Sequence, residues 1–441
     1  MRLTARASLA TGSVVACLSL LSCFAVSPTA MAAPPRWVQA WSGTSATLRD
    51  VALASDGRFG LAVGDGGAVV RTTCGGGYWK QMSLAAPIPA KPLFGVALTG
   101  AAKHRAVAVG AGGTILLYDD ALGWRQVSSP TTVDLRDVDF TGTFEHNVGC
   151  AVGLGGVVLR TTDGGNTWII GSAGEGNDLQ AIDFVDANHA WTTGGTPWST
   201  FRTEGQSVII ATSADAGASW QTQLSEQSGP FLPLDIAFAT PLVGWVVGSN
   251  GGVYTTTTGG LFGWSAGGAT GAGTLFAAAA IDRTTCWAVG ANGVVERTTG
   301  AGLTWTMVPS TTIFNLYGVA FAGSKLGVAV GAPAPARAAM IAWDAAAPKL
   351  SASGGSVGQR GRPVTLKLSP FSASFNLRVG ASIVSASGHT VLRWPSFAWH
   401  AGYVCPLKFR CSLAAGTYRW QVTVQDAAGY RATLTRRLTV R

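Results

Sequence analysis

Seven hexapeptides of one pattern recur along the chain: LRDVAL (48–53), LFGVAL (93–98), LRDVDF (135–140), LQAIDF (179–184), PLDIAF (233–238), LFAAAA (275–280) and LYGVAF (316–321). Between their fourth residues, Val51, Val96, Val138, Ile182, Ile236, Ala278 and Val319, the spacings are 45, 42, 44, 54, 42 and 41. A period of this size marks a supersecondary unit that buries its faces only against copies of itself. Each copy continues into a second stretch ending in glycine (LAVGDGG, AVAVGAGG, CAVGLGG, WVVGSNGG, WAVGANG, VAVGA). A third follows, such as AVVRTT, VVLRTT or VVERTT, and then a fourth that starts at Trp79, Trp124, Trp168, Trp220, Trp264 or Trp305. Four strands per repeat, with no helical periodicity, predict one blade of a β-propeller. Composition agrees: 59 of 441 residues are glycine and only 12% are charged, which suits short strands and tight turns rather than exposed helices.

The seventh repeat reaches a third strand at MIAWD and stops at Pro348, whereas Arg36-Trp37-Val38-Gln39 near the N-terminus is a spare fourth strand. Pairing the two closes a ring and leaves no unpaired edge, so a seven-bladed β-propeller is expected over residues 36–347.

Between the third and fourth strands of the third repeat lies TTDGGNTW, Thr161–Trp168. Asp163 suits a turn by accepting backbone N–H groups, Gly164 or Gly165 supplies positive φ, and Trp168 supplies a buried ring. Ser213, Asp215, Gly217, Ser219 and Trp220 repeat the set, and it decays elsewhere, as in TTCGGGYW and TTGAGLTW. Graded copies around one ring point to scaffold, with Thr161, Asp163, Gly165, Thr167 and Trp168 in structural roles.

This pattern resembles the Asp-box, or bacterial neuraminidase repeat. Together with blades reading LxDVxF…AVGxGGxVxRTTDGGxTW, residues 36–347 resemble the photosystem II stability/assembly factor family of seven-bladed propellers. The resemblance implies a non-catalytic scaffold that binds other proteins. It supplies no cofactor, and a basic domain after residue 348 departs from the family's simple pattern.

An alternative is a sialidase-like or other glycan-active hydrolase, which shares the Asp-box. It requires three convergent arginines, a tyrosine nucleophile with a glutamate, and an acid/base aspartate. The second position of each hexapeptide holds Arg49, Phe94, Arg136, Gln180, Leu234, Phe276 and Tyr317, so two arginines and a tyrosine share a register without a third arginine. Arg49, Arg136 and Tyr317 are therefore candidate binding residues on the face opposite the Asp-box turns. The one long insertion, GTPWSTFRTEGQ (195–206), brings Trp198, Phe201, Arg202 and Glu204 to the same face, a set suited to protein or sugar recognition. Asp50, Asp137 and Asp235 recur one register position further on and Arg71, Arg160 and Arg297 in third strands, which predicts salt bridges within a blade. The five histidines have no ligand spacing, and the glycine runs lack a Walker lysine, so neither a metal nor a nucleotide cofactor is expected.

From Lys349 onward 13 basic residues face a single acid, Asp426. SASGGSVGQRG predicts a flexible linker over 348–362, and the alternation in VTLKLS, FNLRVG, HTVLRW and GTYRWQVTV predicts a β-sandwich over 363–441. Its GTYxWxVTVxDAAG hairpin resembles bacterial immunoglobulin-like modules, which implies adhesion or spacing. The basic excess suits docking to an anionic envelope polymer rather than nucleic acid. Cys405 and Cys411 are close enough in sequence for a small disulfide loop, and Cys74, Cys150 and Cys286 read as buried thiols.

At the N-terminus Arg2 and Arg6 precede an apolar run from Ala7 to Ala25 and the small-residue pattern Ala30-Met31-Ala32. This is the layout of a signal peptide over 1–32. VVAC (14–17) and LLSC (20–23) keep a lipid anchor open as a second reading. Both readings predict an exported, monomeric protein, secreted or extracytoplasmic, with no transmembrane helix in the mature chain.

Overall fold

The structure is a computed structural model. It describes residues 35–441 except 74, 85–87, 100–103, 142–147, 174–175, 196–205, 268–272, 335–336, 345–348, 355–356, 359–361, 372–375, 401–404, 412 and 427–430. The signal segment 1–32 and the insertion residues Trp198, Phe201, Arg202 and Glu204 lie outside the described residues, as does Cys74.

Among the described residues seven four-stranded antiparallel sheets run from Arg36 to Asp344. Sheet 1 is a simple meander of Leu48–Leu53, Gly60–Gly64, Val69–Thr72 and Lys80–Gln81, and the next five sheets repeat it. The last joins Leu316–Ala322, Leu326–Ala334 and Arg337–Asp344 to an outer strand from the other end of the chain, Arg36–Gln39, in the register Arg36↔Asp344 to Gln39↔Ile341. The seven first strands neighbour one another in a closed cycle, Leu48–Leu53 lying between Leu93–Leu98 and Leu316–Ala322. Trp37 on the returning strand is 1% exposed and packs edge-on against Trp287 of sheet 6 and Phe321 of sheet 7, with ring centroids 5.6 and 5.9 Å away. Closure is thus fastened by an aromatic cluster as well as by backbone hydrogen bonds.

The second strands, including GLAVG, AVAVG, GCAVG and CWAVG, are buried at every residue, because each faces a neighbouring sheet on both sides. Each ends in a glycine for a steric reason. A Cβ on Gly110 would stand 2.9 Å from Leu93 Cα on the adjoining first strand.

Register fixes which loops share a face. Leu48 pairs with Gly64 and Leu53 with Gly60, so the start of the first strand and the turn after Gly64 lie at one end of the sheet. The turn from third to fourth strand lies at the other end, because Thr72 pairs back to Gly60.

Beyond Asp344 a three-stranded sheet (Lys349–Gly354, Pro363–Phe371, Cys405–Arg410) and a five-stranded sheet (Val357–Gly358, Arg431–Val440, Gly416–Gln425, Asn376–Ser385, Thr390–His400) share one core. Leu366, Leu368 and Leu407 from the first pack with Val379, Ile383, Trp420 and Val422 from the second. Two sequence expectations are corrected here. Much of the expected linker 348–362 is strand: Lys349–Gly354 pairs antiparallel with the strand Pro363–Phe371, from Lys349↔Phe371 to Gly354↔Leu366. The expected Cys405–Cys411 disulfide is absent, Cys411 being a buried free thiol. Cys405 opens the extended strand Cys405–Arg410 and Cys411 follows its end. Six residues of extended chain span about 20 Å, far beyond the ~7 Å that a disulfide tolerates between Cα atoms.

Candidate functional site

The turn Thr161–Trp168 is built from its own polar groups. Asp163 Oδ1 accepts from Thr161 Oγ1 at 2.8 Å and from the N–H groups of Asn166 and Thr167 at 2.9 Å, while Oδ2 accepts from Thr167 Oγ1 at 2.6 Å. Burial works against ionisation of Asp163, and the bonds from Thr167, Thr161 and Asn166 override it and hold the carboxyl below its usual range. In Asp215 the bond from the Ser219 hydroxyl leads, and the carboxyl falls to about 2. Every donor is local, so these aspartates are consumed by the turn.

The turn's purpose shows at its fifth residue. Thr161 Oγ1 accepts from Gly165 N at 3.0 Å, Gly165 has φ 87°, and a Cβ there would lie 2.6 Å from Val107 Cγ2 of the preceding sheet. Gly217 meets Cys150 in the same way, and Gly302 meets Trp245 and Thr255. The turn docks each sheet on the one before it, through a surface only glycine leaves open.

The channel between the first strands is a cavity of about 410 Å3 lined by Asp50, Asp137, Asp139, Asp183 and Asp235. These carboxylates form none of the expected salt bridges. Asp50 accepts from Val51 N and Val96 N, Asp137 from Val138 N and Ile182 N, and Asp235 from Ile236 N and Ala278 N, at 2.7–2.9 Å. Asp139 accepts from Phe184 N at 2.7 Å and Asp183 from Phe238 N at 2.6 Å. Each therefore ties its own sheet to the next. The third-strand arginines are two strand spacings away, about 9.5 Å, and bond outward instead. Arg71 donates to Tyr118 Oη at 2.9 Å, Arg160 to the Ala216 carbonyl at 2.8 Å, and Arg297 lies over the Trp287 ring at 5.3 Å.

The channel carboxylates line its interior and are partly exposed to it, and the protein packed around them desolvates them enough to favour their neutral form. Burial pushes Asp50 up to about 6, Asp183 to about 7 and Asp235 to about 8. Burial, and then the charges of neighbouring aspartates, raise Asp137 and Asp139 well above the usual range. Among the described residues no cluster of His, Cys, Asp or Glu has the geometry to hold a metal ion.

At the channel mouth each first strand carries a register shift between its first and third residues, as at Leu48/Asp50, Gly95 following Leu93, and Leu316/Gly318. Such a bulge re-aims the residue between, here Arg49, Phe94, Arg136, Gln180, Leu234, Phe276 or Tyr317, all partly exposed. Neighbouring members touch: Arg49 lies 5.0 Å from the Tyr317 ring, Tyr317 5.0 Å from Phe276, and Arg136 4.9 Å from Phe94. Arg49 also makes a two-pronged pair with Asp65, at 2.9 and 3.1 Å, and Arg136 stands 3.8 Å from Asp134. Tyr317 Oη accepts from Asn315 Nδ2 at 3.2 Å, and among the described residues no carboxylate hydrogen-bonds it. The structure thus brings Arg49 and Tyr317 together, with Arg136 two sheets on beside Phe94. Sequence reasoning missed Asp65 and Asp134 as their partners, although Asp65 is visible in the first GDGG run.

A closed cycle of four-stranded antiparallel sheets around a central channel is a β-propeller. Among solved structures the chain is similar to YCF48 from Cyanidioschyzon merolae, with a TM-score of 0.54 and 19% identity over 70% of this chain and 98% of that one. It is also similar to YCF48 bound to D1 peptide (TM-score 0.53, 17% identity, 70% and 97% covered). The RRP9 WD40 repeats align equally well (TM-score 0.55, 12% identity, 71% and 98% covered). At such identity these likenesses establish the fold. No protein-family model and no curated protein sequence matches the chain.

Proposed function

We propose that the chain is an exported, non-catalytic binding scaffold: a seven-bladed propeller with Asp-box turns and a basic immunoglobulin-like module at its C-terminus. It recognises a protein partner with the channel mouth opposite those turns. The observation that carries this reading is the bulged ring of partly exposed residues in which Arg49, Tyr317 and Phe276 touch one another in series and Arg136 touches Phe94. Arginine and aromatic side chains concentrate binding energy at protein interfaces. Support comes from the solved structure of YCF48 bound to D1 peptide, a propeller of the same fold with a peptide ligand. Gly195 and Gln206, which bound the insertion, lie at the channel-mouth end of their sheet, and the basic C-terminal sheets dock on an anionic envelope polymer.

The test is affinity capture from a cell-envelope extract by the wild type, by Arg49→Ala/Arg136→Ala/Tyr317→Ala and by a variant lacking 195–206. A specific protein retained by the wild type and lost from the triple variant is expected. Equal capture by all three removes the channel mouth as the recognition surface.

A further inference from the structure

The outward face of the five-stranded C-terminal sheet carries charge that folding does not use. Tyr418, Trp420, Val422 and Val424 on the strand Gly416–Gln425 turn to the core, so Arg419, Gln421 and Thr423 between them point away from it. The register carries this alternation across the sheet: Arg437 lies opposite Arg419, Ser382 opposite Gln421, and Arg393 opposite Ser382. Arg378 and Arg431, both opposite Gln425, close the far end of the face. All five arginines are exposed, and among the described residues none has a hydrogen-bond or ion-pair partner. Arg436, turned inward, instead donates to the Ala352 carbonyl of the other sheet. Setting Arg419 directly opposite Arg437 costs stability, and no carboxylate offsets it, because the one acidic residue after Pro348, Asp426, is buried. A bound anion removes that cost.

The middle of the face selects the kind of anion. Thr435, Gln421, Ser382 and Arg393 form one row across four strands, a side chain every ~4.8 Å. Beside the row the register shifts between Val379 and Ala381, and Gly380 leaves space: a Cβ there would meet nothing nearer than the Thr423 carbonyl at 4.0 Å. The result is a cavity of about 500 Å3 lined by Ser382, Arg393, Gln421 and Thr423 among others. Hydroxyls and an amide exchange hydrogen bonds with sugar hydroxyls, and an arginine fork fits a carboxylate. Nucleobases find no stacking platform, because Trp394, Trp399, Tyr418 and Trp420 pack against the core. A bilayer finds no wedge, Val391 being the one large apolar side chain that these sheets expose among the described residues.

We propose that the anionic polymer is an acidic polysaccharide and that it lies along the row from Thr435 to Arg393, an inference that rests on the reading that the C-terminal sheets dock on such a polymer. One sugar sits in the cavity beside Gly380, and carboxylates of the chain pair with Arg393, Arg419 and Arg437.

Fluorescence anisotropy of labelled polygalacturonate titrated with the full chain tests this, in ~0.1 M salt, where exposed charges still act over about 10 Å. Arg419→Gln/Arg437→Gln is expected to bind about tenfold more weakly than the wild type. Its thermal midpoint should be no lower, since a like-charge pair is gone. Arg362→Gln/Lys367→Gln removes the same charge from exposed positions at and before the strand Pro363–Phe371 of the other sheet, and is expected to bind within about twofold of the wild type. An oligodeoxythymidylate of equal charge should compete less well than unlabelled polygalacturonate. Equal losses in the two double variants would mean binding to diffuse charge and overturn the site while the polymer reading stands. Stronger competition by the oligonucleotide overturns the polysaccharide. A wild type that binds neither polyanion removes the docking reading itself, and the site with it.

Discussion

Asp50 accepts the N–H of Val96 at 2.8 Å, and its other oxygen accepts that of Val51 at 2.7 Å, so one carboxylate spans two sheets. The third position of the hexapeptide explains how the seams of the ring are joined. Where it is aspartate (Asp50, Asp137, Asp235) the seam to the next sheet is bonded. Where it is glycine, backbones close up instead: a Cβ on Gly95 would lie 2.8 Å from Asp137 Cα, and one on Gly318 2.8 Å from Asp50 Cα.

Removing a bridging carboxylate strands two buried N–H groups. Asp137→Ala is expected to cost about 2–6 kcal/mol, from the ~1–3 kcal/mol of each of two unsatisfied donors, and Asp137→Asn about half as much because one acceptor oxygen remains. Urea unfolding of both variants checks the order; equal losses would show that the charge, not the bridge, matters.

The same aspartates set a pH dependence of unusual sign. Their folded values, about 6 for Asp50, 7 for Asp183 and 8 for Asp235, lie above the unfolded carboxylate value, so the native state holds extra protons. Stability from this source is complete below about pH 4 and is lost as pH rises through about 6 to 8. Asp163 and Asp215, held below the usual range, act oppositely and lose their contribution as pH falls below about 4. A maximum near pH 4 is therefore expected, with the urea midpoint falling from there to about pH 8. Asp235→Asn should flatten that fall, and a midpoint that rises over the same interval contradicts the assignment.

The ring was legible because a hexapeptide with a period near 42 and a spare Trp37 strand leave few other ways to bury seven apolar stripes. The seam chemistry was not. Asp50 and Arg71 share a repeat, yet one lies on a first strand and the other on a third, and a linear pattern does not say that the intervening strand separates them. Asp139 and Asp183 escaped notice because only two sheets carry aspartate at the fifth position. The strand Lys349–Gly354 was hidden by its glycine and serine content, since an edge strand pairs through backbone groups that any side chain permits. The alternation of Leu407 and Phe409 in CPLKFR was a strand signal that outweighs cysteine spacing.

Glycine at the docking turns is the next point of failure. Gly165→Ala adds a Cβ 2.6 Å from Val107 Cγ2 at φ 87°. The left-handed conformation costs about 1 kcal/mol and the overpacking about 1–3 kcal/mol more. Gly155→Ala has comparable φ, 68°, but nothing within 4 Å, and should show only the first cost. The difference between the two in urea unfolding isolates the contact between sheets.

The thiols give the last test. Cys411 packs in the core shared by the two C-terminal sheets, and the strand Cys405–Arg410 holds Cys405 at its far end. Reductant should leave the thermal midpoint unchanged, and alkylation of the unreduced, denatured chain should label both residues on peptide mapping. Cys411→Ala should cost about 1 kcal/mol, as a small core truncation does, whereas losing a stabilising disulfide costs about 2–5 kcal/mol. A loss of the larger size, matched by Cys405→Ala, would mean that the strand opens to let the bridge form.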